Sequence, residues 1–185
     1  ECNGAGDLLV TESVWLNPNR NPGVTRDAAD VIFRETLGVE RVHWLAQGME
    51  GDDTDGHIDT FARYVSADRA VVSQADAGHP HHAVLAANRK RLEAMVSEVV
   101  ALPHPDPICP ENWREPLLPA TYANFIFVNG AVLVPTYAQP ENDARALDVL
   151  RKCFPEREVV GVPCEVLVIE GGALHCLSME QPVGE

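Results

Sequence analysis

Asn124-Phe125-Ile126-Phe127-Val128-Asn129-Gly130-Ala131-Val132-Leu133-Val134-Pro135 is the stretch whose reading decides the fold. Two apolar runs meet at Asn-Gly, a pair suited to the type I′ turn that matches strand twist, so residues 124–128 and 131–135 read as a hairpin. An amphipathic helix over 142–154 and a strand over 158–162 follow it. The same order recurs upstream, with strands over 60–65 and 69–73 around a turn at Ala67-Asp68, a helix from about 81 to 96, and a strand over 98–102. A third copy, without its first hairpin strand, fits residues 1–45. It has a strand over 7–11, a helix over 26–37 capped by Thr25 and ended by Gly38, and a strand over 39–45. Residues 163–169 read as a short helix. One ββαβ unit repeated at a spacing of roughly 60 residues predicts an α/β fold of modules around a common axis, with a site where module ends converge.

Size and charge narrow the function. The 185 residues suffice for one domain with a sizeable core. Asp and Glu total 28 against 14 Lys and Arg, a net charge of -14. Such a surface repels nucleic acid and anionic membranes and draws small cations. No apolar run approaches the roughly 20 residues that span a bilayer, and the start lacks the features of a signal peptide, so a cytoplasmic address is expected. Glu1-Cys2-Asn3-Gly4-Ala5-Gly6 is turn-rich and carries no initiating Met, and an N-terminally truncated chain is the expectation. Five cysteines without a CxxC pair argue against both a disulfide scaffold and a zinc ribbon. His79-Pro80-His81-His82 reads as a solvated loop or helix start, with metal binding the open alternative, since it lacks i, i+4 spacing and a nearby cysteine. The Pro-rich run over 103–119 reads as a long, functional loop.

Chemistry concentrates at two glycine-containing segments. Gly171-Gly172 lets the backbone bend and approach a ligand just ahead of His175-Cys176, a plausible seat for a nucleophile. Upstream stands Gly51-Asp52-Asp53-Thr54-Asp55-Gly56-His57-Ile58-Asp59. Each residue also has a plain structural explanation. Cys176 suits a small buried hydrophobe, His57 a turn, Asp59 a helix cap for the segment from Thr60 onward, and Gly171-Gly172 a simple turn. His175, read as lying on a strand, would face away from Cys176 in a structural role.

Taken together, Leu16-Asn17-Pro18-Asn19-Arg20-Asn21-Pro22, the segment from Gly51 to Arg63 with Gly-His-Ile-Asp at its heart, Ala123-Asn124-Phe125, and Gly171-Gly172-Ala173-Leu174-His175-Cys176 resemble the agmatine deiminases. These belong with the bacterial-type peptidylarginine deiminases in the pentein superfamily. The resemblance implies a five-module α/β propeller with a guanidine-binding channel, no metal and no cofactor. It places the nucleophile on Cys176, the histidine on His57, and a guanidinium-binding carboxylate on Asp59. Asp53 falls where members often carry an acidic residue near substrate, and Gly171 and Gly172 fall on the substrate-side turn. The family's Trp-x-Arg-Asp and Glu-Gly-Gly motifs do not occur in these 185 residues, so the chain resembles the C-terminal part of a single catalytic domain.

The chemistry implied is covalent hydrolysis of agmatine to N-carbamoylputrescine and ammonia, in polyamine synthesis. Carboxylates hold the planar guanidinium, Cys176 adds to its carbon, and His57 moves the protons. Free or peptidyl arginine is the rival substrate, and Arg20, Arg63 and Arg114 are the candidate contacts for a substrate carboxylate. A non-catalytic module or inactive fragment is the alternative from another class. Exposed strand edges would promote homo-oligomers.

Overall fold

A computed structural model describes residues 1–111, 115–179 and 181. Its first strand, β1 (Asp7–Thr11), is followed by a single helical turn, α1 (Glu12–Trp15), and then α2 (Arg26–Leu37). Thr25 Oγ1 accepts the Ala28 N–H at 3.3 Å and so caps α2, as its sequence position suggests. Gly38, in the left-handed region at φ +68°, ends the helix by donating to the Arg34 carbonyl. Strand β2 (Arg41–Leu45) then pairs in parallel with β1, Asp7 opposite Arg41 through Thr11 opposite Leu45. Phe33 and Ala29 of α2 bury against Leu8, Val10 and Trp44, and the Trp44 indole donates to Asp30 at 3.0 Å.

Two three-stranded sheets come next, with a common pattern of strand senses. In the first, β3 (Ala62–Tyr64) runs antiparallel to β4 (Arg69–Gln74), and β4 runs parallel to β5 (Glu98–Pro103) across helix α3 (His82–Leu92). In the second, β6 (Ile126–Val128) is antiparallel to β7 (Ala131–Thr136), and β7 is parallel to β8 (Glu158–Pro163) across α4 (Pro140–Cys153). Parallel neighbours need a crossover, and each helix supplies one. Both helices pack on their own sheets through buried side chains, Leu85 and Leu92 on one, Ala146 and Leu150 on the other.

Several boundaries differ from the sequence reading for identifiable reasons. Helix α3 stops at Leu92, and residues 93–97 turn so that the Ser97 N–H reaches the Asp68 carbonyl. Helix α4 starts two residues earlier than the pattern suggests, with Pro140 in its first turn and Asp143 accepting the N–H groups of Tyr137 and Gln139. The turn at Asn129-Gly130 is not type I′, because Gly130 takes positive φ (+78°) and Asn129 does not. Asn124 and Phe125 lie outside the hairpin altogether. Segment 163–169 gives only a 3₁₀ turn at Val168–Glu170. No described helix is long and apolar enough to cross a membrane.

Candidate active site

Cys176 sits in a 3₁₀ turn, His175–Leu177, with its seat prepared by two glycines. Gly171 turns the chain at φ +91°. Gly172 lies so close to the cysteine that a β-carbon there would stand 2.7 Å from Cys176 Cβ and 2.9 Å from Sγ. Asn124 then fastens the turn. Its Oδ1 accepts the backbone N–H of His175 at 3.0 Å and of Cys176 at 3.4 Å. Its Nδ2 donates to Cys176 Sγ at 3.3 Å and to Asp59 Oδ2 at 3.0 Å. One side-chain amide thereby fixes the relative positions of the thiol and the carboxylate, which is what preorganisation requires. Cys176 is exposed, so the reading of it as a buried hydrophobe does not hold.

Asp59 is buried, in the 3₁₀ turn Ile58–Thr60. It caps no following helix, because the chain enters β3 at once. Its Oδ2 collects three donors, Asn124, His175 Nδ1 at 2.6 Å and the Cys176 thiol at 3.8 Å. Burial opposes its charge, but the His175 hydrogen bond and charge, followed by Arg63 and His57, outweigh it and hold the carboxyl below its ordinary range. The Cys176 thiol moves the other way. Burial of the sulfur pushes it up and the Asp59 carboxylate adds to this, while the Ala173 backbone and Asn124 pull it down. His175 corrects the strand-based reading. In a 3₁₀ turn its ring reaches Asp59, beside the cysteine rather than away from it.

His57 lines a cavity of about 980 Å³ together with Asp59, Arg63 and His175. Asp53 is exposed, and Gly171 packs against its carboxylate, where a β-carbon would come within 2.8 Å of Oδ1. Its neighbour Asp52 points inward. One of its oxygens accepts Thr54 N–H, while Oδ2 is buried without a hydrogen-bond partner. Burial raises its pKa, Thr54 and His57 counteract, and Asp59 adds repulsion. Of the three arginines named from the sequence, Arg20 pairs with Asp55 at 2.8 Å. Arg63 is buried, its Nε 2.8 Å from the Glu1 carboxylate and its Nη1 donating to the Phe125 carbonyl at 2.8 Å. Arg114 lies outside the described residues. Among the described residues, the cluster with metal-ligand spacing, His79, His81 and His104, lies apart from this group.

Sequence reasoning gave Asn124 and Asp52 no role of their own and His175 only a structural one. For Asn124 the signal was its place between Ala123 and Phe125 in a recognised motif. Asp52 and His175 likewise stand inside recognised motifs, but their contacts are ones that sequence spacing does not encode.

Comparison with known proteins identifies the family. Residues 1–182 match the Porphyromonas-type peptidyl-arginine deiminase family. The agmatine deiminase of Pseudomonas fluorescens is 35% identical over an alignment covering 97% of this chain and 54% of that protein. Thus the chain spans about half the length of the curated relatives it matches. A Porphyromonas gingivalis protein solved as a candidate arginine deiminase superposes with a TM-score of 0.92 at 43% identity, covering 98% of this chain and 55% of that one. The agmatine deiminase of C. jejuni, solved with substrate bound, gives 0.89 at 33% identity, covering 95% and 52%. The α/β arrangement is therefore close to that of deiminase structures, and the chain belongs to the Porphyromonas-type peptidyl-arginine deiminase family.

Proposed function

We propose that this chain carries the nucleophile-bearing part of an agmatine deiminase, within a five-module propeller of which it forms about half. The observation that carries the reading is the convergence of the Cys176 thiol with an ionised, buried Asp59 at 3.8 Å, both held by Asn124. A carboxylate kept charged in a partly closed site binds a guanidinium in place. The Cys176 thiol passes its proton to His57 as its sulfur adds to the guanidinium carbon, and the tetrahedral adduct expels ammonia as His57 returns that proton to the leaving nitrogen. Water, deprotonated by His57, attacks the amidino thioester, and collapse returns the thiol and releases N-carbamoylputrescine. The sum is agmatine plus water to N-carbamoylputrescine plus ammonia.

Agmatine is favoured over arginine by the state of the cations. Arg20 is held by Asp55, and Arg63 by Glu1 and two backbone carbonyls. A carboxylate-bearing substrate that met either of these two would have to displace its partners. Mass spectrometry of agmatine, arginine and an arginyl peptide incubated with the chain tests the reading. Replacing nitrogen by oxygen shifts the mass by about one unit. The expected result is a shift on agmatine that Cys176→Ala abolishes. A silent chain is retested together with the N-terminal half of a relative, and silence there too, or a shift on the arginyl substrates alone, overturns agmatine.

A further inference from the structure

His79-Pro80-His81-His82 forms a helix start, as one of the two sequence readings has it, rather than a solvated loop. His81 is 1% exposed at the head of α3, and the fold brings to it His104, 7% exposed, from just beyond the end of β5. Together with half-buried His79 they place three ligand nitrogens within 4.8 Å of one another, in a cluster that none of the deiminase chemistry uses. We propose that His79, His81 and His104 bind one transition-metal dication of the zinc type.

The donor geometry is largely set. His81 Nε2 stands 2.9 Å from the Glu50 carbonyl, which fixes the proton on Nε2 and leaves the Nδ1 lone pair free. That Nδ1 is 3.1 Å from His104 Nε2. Two nitrogens bound at 2.0–2.1 Å in a tetrahedron stand about 3.3 Å apart, so a small expansion admits an ion. His79 Nε2 is buried with no hydrogen-bond partner. Its Nδ1 accepts the His81 backbone N–H at 3.0 Å and the Pro105 backbone also interacts with the ring, so coordination through Nε2 moves the proton to Nδ1 and exchanges these contacts for a metal bond. His104 shifts its proton to Nδ1 in the same way, and no net proton is lost from neutral rings. Burial lowers the pKa of all three, most strongly at His104.

Imidazole donors without a carboxylate among them suit zinc, cobalt or nickel rather than calcium or magnesium. His79 and His104 both line a polar cavity of about 230 Å³ that also holds Asp76 and Asp106, whose charges favour a cation there. The ion would join the start of α3 to the end of β5 and, through His81, to Glu50, two residues from Asp52.

The test uses the 185-residue chain, stripped of metal by a chelator and titrated with Co2+ and with Zn2+. One equivalent of Co2+ is expected, with visible d–d bands of a four-coordinate site and no sulfur-to-cobalt charge-transfer band. His79→Ala and His104→Gln should each weaken binding by more than about 100-fold, since they remove a ligand rather than a supporting contact. Cys176→Ser should leave it unchanged, which separates this outcome from any result on deimination. His79 is only half-buried, so its variant keeps the test informative if His104→Gln misfolds. No equivalent bound, affinity unchanged in His79→Ala, or a thiolate charge-transfer band would overturn the proposal.

Discussion

Gly172 shows how much can rest on one absent methyl group. A β-carbon at this position would lie closer to Cys176 Cβ and Sγ than non-bonded atoms approach, and because Cβ moves only with its backbone, the short turn that carries the cysteine must shift. Gly172→Ala should therefore lower kcat/KM for agmatine by about 100-fold, the size of effect expected when a reacting atom is displaced by about 1 Å. Its urea midpoint should stay close to that of the parent protein. A parallel loss of stability and activity would point to a structural glycine instead. The thiol carries its own signal. Burial and Asp59 hold Cys176 protonated, and a guanidinium seated on Asp59 removes the second of these influences. Alkylation of Cys176 near neutral pH should thus accelerate when a non-reactive alkylguanidine is added, and Asp59→Asn should abolish the acceleration. Protection by the guanidine without any change in the pH midpoint of alkylation would count against this coupling.

At the scale of elements, the loop from β2 to β3 decides where His57 and Asp59 stand. Gly48 and Gly56 touch backbone to backbone, and a β-carbon on Gly56 would lie 2.4 Å from Gly48 Cα. Gly56 is also at φ +97°, where a side chain is strained whatever the space. Ser13 Oγ donates to the Asp55 carbonyl at 2.7 Å, and Arg20 grips the Asp55 side chain, so the crossing is tied to α1 and the segment after it. Gly56→Ala should cost about 3 kcal/mol, strain and clash together, read as a shift of the urea midpoint. A variant as stable as the parent would show that the loop can open without penalty. Elements of this kind differ in how well a sequence announces them. Thr25 and Gly38 bound α2 where capping chemistry puts them, because both signals are local. Asn124 was absorbed into a hairpin by its apolar neighbours, and only the fold shows that it turns away to hold Cys176, 52 residues later. Beside Asp52, the Gly51 backbone packs under the Leu117 carbonyl, a contact between distant segments that sequence spacing does not announce.

In the molecule as a whole, the site is also a junction. Arg63 of β3 donates to carbonyls of Ala123 and Phe125, stacks on the Phe125 ring at 4.8 Å and meets Glu1, so the first residue, the first three-stranded sheet and the segment before the second all join beside Asp59. Asp59 itself links residues 116 and 117 positions away in His175 and Cys176. Sequence spacing could not show that link, although motif order pointed to its members. Global stability should consequently carry the titration of this carboxylate. Its folded pKa lies below the unfolded value of about 3.9, because His175 and then Arg63 favour the charged form more than burial opposes it. The unfolded chain binds the proton first on acidification. The contribution of Asp59 is therefore complete above the unfolded pKa and is lost as pH falls through the folded one. Urea unfolding at a series of pH values from 6 to 2 should show Asp59→Asn less stable than the parent at pH 6, with the gap narrowing below about pH 4 as the parent loses this charge-dependent term. A gap that stays constant to pH 2 would mean that folding does not depress the Asp59 pKa and that the His175–Asp59 pair contributes no charge-dependent stability.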